Sequence, residues 1–150
     1  MLLNNNLIEL NRVDNEMEQI FNGYLSASGI SMTTMWILYS AYTGNGTTTQ
    51  REICDNWFCA PQTINSAMKL LEKNGVIELL YADGNRKSKQ VHLTQIGIEM
   101  CERLIYPLIS AENEAISSLT VDEQALLVAL LAKYKNALKQ VLAAPEKEKA

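Results

Sequence analysis

Set at 100° per residue, positions 61 to 73, PQTINSAMKLLEK, separate into two sides. Ile64, Ala67, Met68 and Leu71 gather on one side, and Gln62, Asn65, Ser66, Lys69 and Lys73 on the other. The polar set suits one kind of chemistry. Asn and Gln amides can bond bidentately to adenine, Lys reaches guanine acceptors or phosphate, and hydroxyls bond phosphate oxygens. A solvated helix face carries the same residue types, so the two readings are separated by what flanks the helix. Arg86, Lys87 and Lys89 follow it within residues 84 to 92, a stretch without any acid, and they shift the balance toward DNA.

Other chemistries find little support. A single histidine, His92, leaves His-based metal sites and Ser-His-Asp hydrolysis without enough groups. Cys54, Cys59 and Cys101 form an odd set with no C-x-x-C spacing, which argues against a disulfide framework and a zinc knuckle and for reduced thiols. The reading is of a protein that is not an enzyme, with no cofactor and no metal. The net charge of -4 looks unsuited to nucleic acid until it is divided along the chain. Residues 1 to 46 carry one base against four acids, 47 to 93 six against five, and 94 to 150 six against eight. Only the middle third is not acidic.

The chain has 150 residues, 47% of them hydrophobic and 20% charged, which fits one ordinary domain or two small subdomains and argues against disorder. The longest apolar run, Ala125 to Ala132, has eight residues, well short of the roughly 20 of a membrane span. MLLNNNLIEL lacks the basic start and small-residue cleavage site of a signal peptide, so the expectation is a cytoplasmic protein with no membrane partner.

The elements that must position the polar face follow from periodicity and caps. Leu7, Leu10, Val13, Met17, Ile20 or Phe21, and Tyr24 share a stripe of a first helix that Gly29 ends. Ser31 caps a second helix to about Tyr42, ahead of Gly44-Asn45-Gly46. Thr49 with Glu52 is a capping box opening a short third helix, TQREICDNW. Pro61 suits the first position of the fourth helix and Gly75 its stop. VIELLYA then reads as a strand, ADGNRKSK as a turn or hairpin tip, and QVHLT as a second strand. Thr94 caps a further helix that Pro107 should kink or break. Thr120 and Glu123 cap the last helix, whose Leu127, Leu130, Tyr134, Leu138 and Val141 or Leu142 share a face. The expected fold is mainly α with a small β-wing: a winged helix-turn-helix over residues 31 to 94, with dimerisation helices over 1 to 30 and 95 to 150. The outer helices carry more apolar surface than a DNA-binding module can cover, and a second copy of the chain is the simplest partner.

TQREICDNWFCAPQTINSAMKLLEKNGVIEL followed by NRKSKQVHLTQIG resembles the winged-helix core of MarR-type transcriptional regulators. The likeness extends to the P-L-I-x-x-x-E-x-x-A run from Pro107 to Ala115 and to Leu119-Thr120-x-x-Glu123, and so covers nearly the whole chain. It implies a homodimeric, sequence-specific double-stranded DNA-binding regulator, a repressor on a pseudo-palindromic operator. It places base or groove contacts on Gln62, Thr63, Asn65, Ser66 and Lys69, wing contacts on Arg86, Lys87 and Lys89, and backbone contacts on Thr49 and Gln50. One departure stands out: the Asp-x-Arg pair usual in the family's wing is Asn85 and Lys87 here. Lys does not reproduce Arg's planar fork, so phosphate contact is what this wing retains.

Three further readings accompany this one. The family's small aromatic ligands lodge beside helices that here carry Tyr24, Trp36, Tyr39 and Tyr42, a candidate pocket whose residues at helical spacing read equally as core. Cys59 precedes the Pro61 helix start, whose dipole favours a thiolate, which opens a redox-sensing reading, whereas Cys54 and Cys101 read as small core hydrophobes. The acidic net charge also admits a winged-helix dimer that binds protein as an adaptor or antirepressor.

Overall fold

The computed structural model describes residues 4–82 and 85–143, with Ala82 and residues 85–88 described by backbone alone. The chain forms two compact units, Met1–Pro107 and Leu108–Ala150.

The first unit begins with α1 (Asn5–Ser28), which Asn4 caps by accepting from the Asn6 N–H. It ends where Gly29 turns left-handed, φ 68°, and returns its N–H to the Leu25 and Ser26 carbonyls. Of α1 only Leu25 is buried, and Leu10, Val13, Met17 and Ile20 all stay exposed. Tyr24 nevertheless anchors the helix within its unit, donating its hydroxyl to the Leu104 carbonyl at 2.8 Å.

Ser31 caps α2 (Met32–Thr43) by accepting from Thr34 N–H, as its position suggested. Met35, Ile37, Leu38 and Ala41 are fully buried, and with apolar residues on every side α2 packs against α3 (Gln50–Trp57), α4 (Pro61–Lys73) and α5 (Gln95–Leu104). Ile53 from α3, Ile64 and Met68 from α4, and Cys101 and Ile105 at the end of α5 complete this core.

The sheet differs from the expected two-stranded wing. It has three strands in the order β1 (Thr47–Thr49), β3 (Asn85–Leu93), β2 (Ile77–Ala82), both pairs antiparallel. Three threonines are too short a run to show alternation, and β1 is recognisable only through its partners, Thr47 facing His92, Thr48 facing Val91 and Thr49 facing Gln90. The third strand also begins at Asn85 rather than Gln90, so NRKSK belongs to a strand and not to the turn. The β2–β3 ladder extends through Tyr81 facing Lys89, with an irregularity before Ala82 faces Asn85. Basic side chains do not prevent such pairing, because the ladder is made by backbone groups.

Thr94 then caps α5, its hydroxyl accepting from Gly97 N–H while donating to the Gly75 and Val76 carbonyls. Gly97 is buried so tightly that a Cβ there would strike the Val76 carbonyl oxygen. The helix stops at Ile105, and Pro107 falls in the first turn of α6 (Tyr106–Ile116), the break its ring dictates.

α6 begins in the last two residues of the first unit and runs on into the second, where a turn that Gln124 clamps joins it to α7 (Val121–Ala143), the Gln124 amide donating to the Ile116 and Leu119 carbonyls. Thr120 and Glu123 make the anticipated capping box. No residue of α7 is buried, and Leu127, Leu130, Tyr134, Leu138 and Val141 are all exposed. Among the described residues no single helix is long and apolar enough to cross a membrane.

Candidate nucleic-acid interface

The site is built outward from two buried anchors of α4, Ile64 and Met68, with Leu71 a turn further on. Because these share one side, Gln62, Thr63, Ser66 and Lys69 are left exposed on the other, with Asn65 half-buried at the margin. Ala60 leads into α4 without a side-chain cap, and Pro61 occupies the first turn, where no N–H is needed. The Ser66 hydroxyl donates to the Gln62 carbonyl at 3.0 Å, so in this conformation it offers only lone pairs outward.

The start of α3 is fastened to the start of α4. Gln50 donates its Nε2–H to the Pro61 carbonyl at 3.0 Å. Immediately before it the capping box closes, Thr49 Oγ1 accepting from Glu52 N–H at 3.1 Å and Thr49 N–H donating to Glu52 Oε2 at 2.8 Å. Thr48, the buried polar residue of the core, adds its hydroxyl to the same Oε2. The backbone bond from Thr49, reinforced by its side chain and by Thr48, holds the Glu52 carboxyl below the ordinary carboxylate range.

Thr49 also ties the third helix to the wing strand, since it faces Gln90 across the β1–β3 pair, next to Lys89. Thr49, Gln50, the outward side of α4 and Lys89 are thereby carried by elements that bond directly to one another. His92 is half-buried and lies within 3.3 Å of Gln90 Oε1. Among the described residues the ion pairs are Arg12 with Glu9 and Glu16 and Arg51 with Asp55, so no described carboxylate pairs with Lys69, Lys73 or Lys89. The backbone of Arg86 and Lys87 runs in β3, while their side chains and the Asp83-Gly84 tip lie outside the described residues.

The aromatic candidates separate. Trp36 stacks on Trp57 with ring centroids 3.7 Å apart and planes 14° apart, and Tyr39 meets both rings edge-on. Trp57 was missed by sequence reasoning, although an aromatic closing an amphipathic helix was the available signal. A cavity of about 680 Å³ opens beside this cluster, and of the four candidates only Tyr39 lines it. Phe58 is the other unanticipated residue: it terminates α3 with a left-handed φ of 51° and is 94% exposed.

The thiols divide as well. Burial pushes the Cys101 thiol up to about 12, and Cys101 Sγ lies 3.8 Å from the Leu38 carbonyl. Burial, then the neighbouring Cys59 and Asp55, raise that of Cys54. Cys59 is half-buried with its Sγ 3.4 Å from the Trp57 carbonyl.

No protein-family model and no curated protein matches the sequence. Solved structures do resemble it. A MarR family regulator from Neisseria meningitidis superposes with a TM-score of 0.79 at 20% identity, covering 93% of this chain and 98% of that one. The S. aureus MepR–DNA complex gives 0.68 at 21% identity, covering 91% and 99%. The PcaV transcriptional regulator from Streptomyces coelicolor, in complex with its natural ligand, gives 0.66 at 16% identity, covering 92% and 99%. The fold is that of the MarR-type winged-helix proteins.

Proposed function

We propose that this chain, folded as the MarR-type regulators are, is a DNA-binding transcriptional regulator acting as a homodimer, a repressor on a pseudo-palindromic operator. The observation that carries the reading is the outward side of α4. It presents Gln62, Thr63, Asn65, Ser66 and Lys69, with which no described carboxylate pairs, from a helix whose opposite side is locked into the core. In this reading α4 enters a major groove, Thr49 and Gln50 meet phosphate beside it, and Arg86, Lys87 and Lys89 follow the adjacent backbone. MepR, crystallised on DNA, supports it as a structural relative.

The second copy is called for by α1 and α7. Leu10, Val13, Met17 and Ile20 of one and Leu127, Leu130, Tyr134 and Leu138 of the other are exposed, an apolar extent that a lone chain would not leave in water. A two-fold dimer then sets half-sites about one helical turn, roughly 34 Å, apart. Release by a small aromatic ligand near Tyr24, Trp36, Tyr39 and Tyr42 belongs to the same reading, and PcaV with its ligand is its structural support.

Selection of bound fragments from random duplexes tests the proposal. Enrichment of an inverted repeat, with affinity falling on a log-log salt slope of about -0.9 per neutralised phosphate, is the expected result. The net charge of -4 favours a competing reading, an adaptor that binds protein. Salt-insensitive binding with no enriched sequence would support that alternative.

A further inference from the structure

The cavity beside the Trp36–Trp57 stack is bounded by the end of α2, by β1, by α3 and by Gln90 of β3, all within the first unit. Its volume, about 680 Å³, suits a small organic molecule. Two of its walls are aromatic, Tyr39 and Trp57. Trp57 is held in place by two contacts: Trp36 covers one of its ring faces at 3.7 Å, and the Trp57 indole N–H donates to Ser40 Oγ at 2.8 Å. The aromatic wall is therefore preformed rather than assembled around a ligand.

The sign of charge is set by the remaining lining. Glu52 contributes a carboxylate, and among the described residues no Lys, Arg or His borders the space. Every hydrogen bond described for that carboxylate goes to Oε2, from Thr48 and Thr49, and these same bonds keep it ionised. The neighbouring Thr43, Thr47 and Asn56 are uncharged donors and acceptors. Among the described residues an anion placed here would meet a carboxylate and no basic partner. A cation would meet an aromatic wall, the kind of surface that attracts cations through ring quadrupoles, and a carboxylate that complements it.

We infer that this cavity is a binding site for a small organic cation, a quaternary ammonium or protonated amine, held between the Trp57 and Tyr39 rings and the Glu52 carboxylate. It is a different place from the Tyr24, Trp36, Tyr39 and Tyr42 crevice, sharing only Tyr39 with it.

Intrinsic tryptophan fluorescence reads the site directly, since the chain's two tryptophans are Trp36 and Trp57 themselves. The full chain, without DNA, is titrated with choline and with 3,3-dimethylbutan-1-ol, its uncharged isostere. Choline should saturate the signal, and the alcohol should need about tenfold higher concentration. Glu52→Gln keeps a residue able to close the capping box and should weaken choline about fivefold while leaving the alcohol unchanged. Asn56→Asp should strengthen choline and Asn56→Lys weaken it by a similar factor, and this pair decides the matter if Glu52→Gln fails to fold. Equal response to choline and the alcohol, choline affinity indifferent to both Asn56 changes, or tighter saturation by phenylacetate than by choline would each overturn the assignment. Because no DNA is present, these outcomes stand apart from whether the protein recognises operators.

Discussion

Thr49 faces Gln90 across the β1–β3 pair while its hydroxyl caps α3. One residue thus belongs both to the sheet that carries the wing and to the helix that leads into α4. With Gln50 bonded to the Pro61 carbonyl, the wing strand and the start of α4 are joined through Thr49 and Gln50.

That linkage still leaves the residues different work. If Asn65 meets a base edge, Asn65→Ala should cost about 1 to 3 kcal/mol on the selected site and relax preference at one base position. Lys89→Ala should weaken all duplexes similarly and reduce the salt slope by about 1. Competition assays with single-base operator variants separate the two, and equal loss of preference from both changes would refute the division.

Acid stability should reflect the Glu52 cap. Its carboxyl titrates below the ordinary value of 4.5 because bonds to Thr49 and Thr48 favour the charged form. A depressed folded-state pKa contributes stability that is complete above the unfolded value and lost as pH falls through the folded one. Thermal melts between pH 7 and 3 should therefore show the wild type losing its advantage over Glu52→Gln only below about pH 4.5. A constant difference across the range would mean that the ionised carboxylate is not what stabilises the cap.

At Gly97, α5 lies tight against the segment after α4. A Cβ there would strike the Val76 carbonyl oxygen, a backbone atom that cannot swing aside. Gly97→Ala should destabilise by about 1 to 3 kcal/mol despite alanine's better helix propensity. Urea denaturation reads this directly, and an unchanged or raised midpoint would show that the backbone yields.

Phe58 holds a left-handed φ of 51° with its ring 94% exposed, so the side chain contributes strain without burial. Phe58→Gly should raise stability by about 1 kcal/mol, the relieved steric cost exceeding the added freedom of the unfolded chain. A lower melting temperature for the variant would reveal a contact made by the ring, in the dimer for instance.

Assembly is checked by sedimentation. At micromolar concentration the protein should run at twice its 16.8 kDa chain mass, and a chain ending before Thr120 should be insoluble or unfolded. A folded monomer would leave the exposed stripes of α1 and α7 without the proposed partner.

What the amino-acid order settled alone is local. The Ser31, Thr49, Thr94 and Thr120 caps, Pro61 opening α4, and Gly29 and Gly75 at positive φ each depend on partners within a few residues. Stereochemistry and backbone bonding at that range are legible in a line of letters. The polar side of α4 was legible too, because helical periodicity assigns faces without reference to neighbours. β1 was not: three threonines become a strand only because β3 supplies their hydrogen bonds. The extension of β3 back to Asn85 likewise depends on the partner strand, as Lys89 pairs with Tyr81. Trp57 acquires its place from Trp36 and Ser40, 21 and 17 residues earlier, and the Glu52-bearing cavity exists only once α2, β1 and α3 have packed. Such features are set by contacts between distant segments, whose geometry follows from how the buried sides of α2, α3 and α4 fit together rather than from the spacing of residues along any one of them.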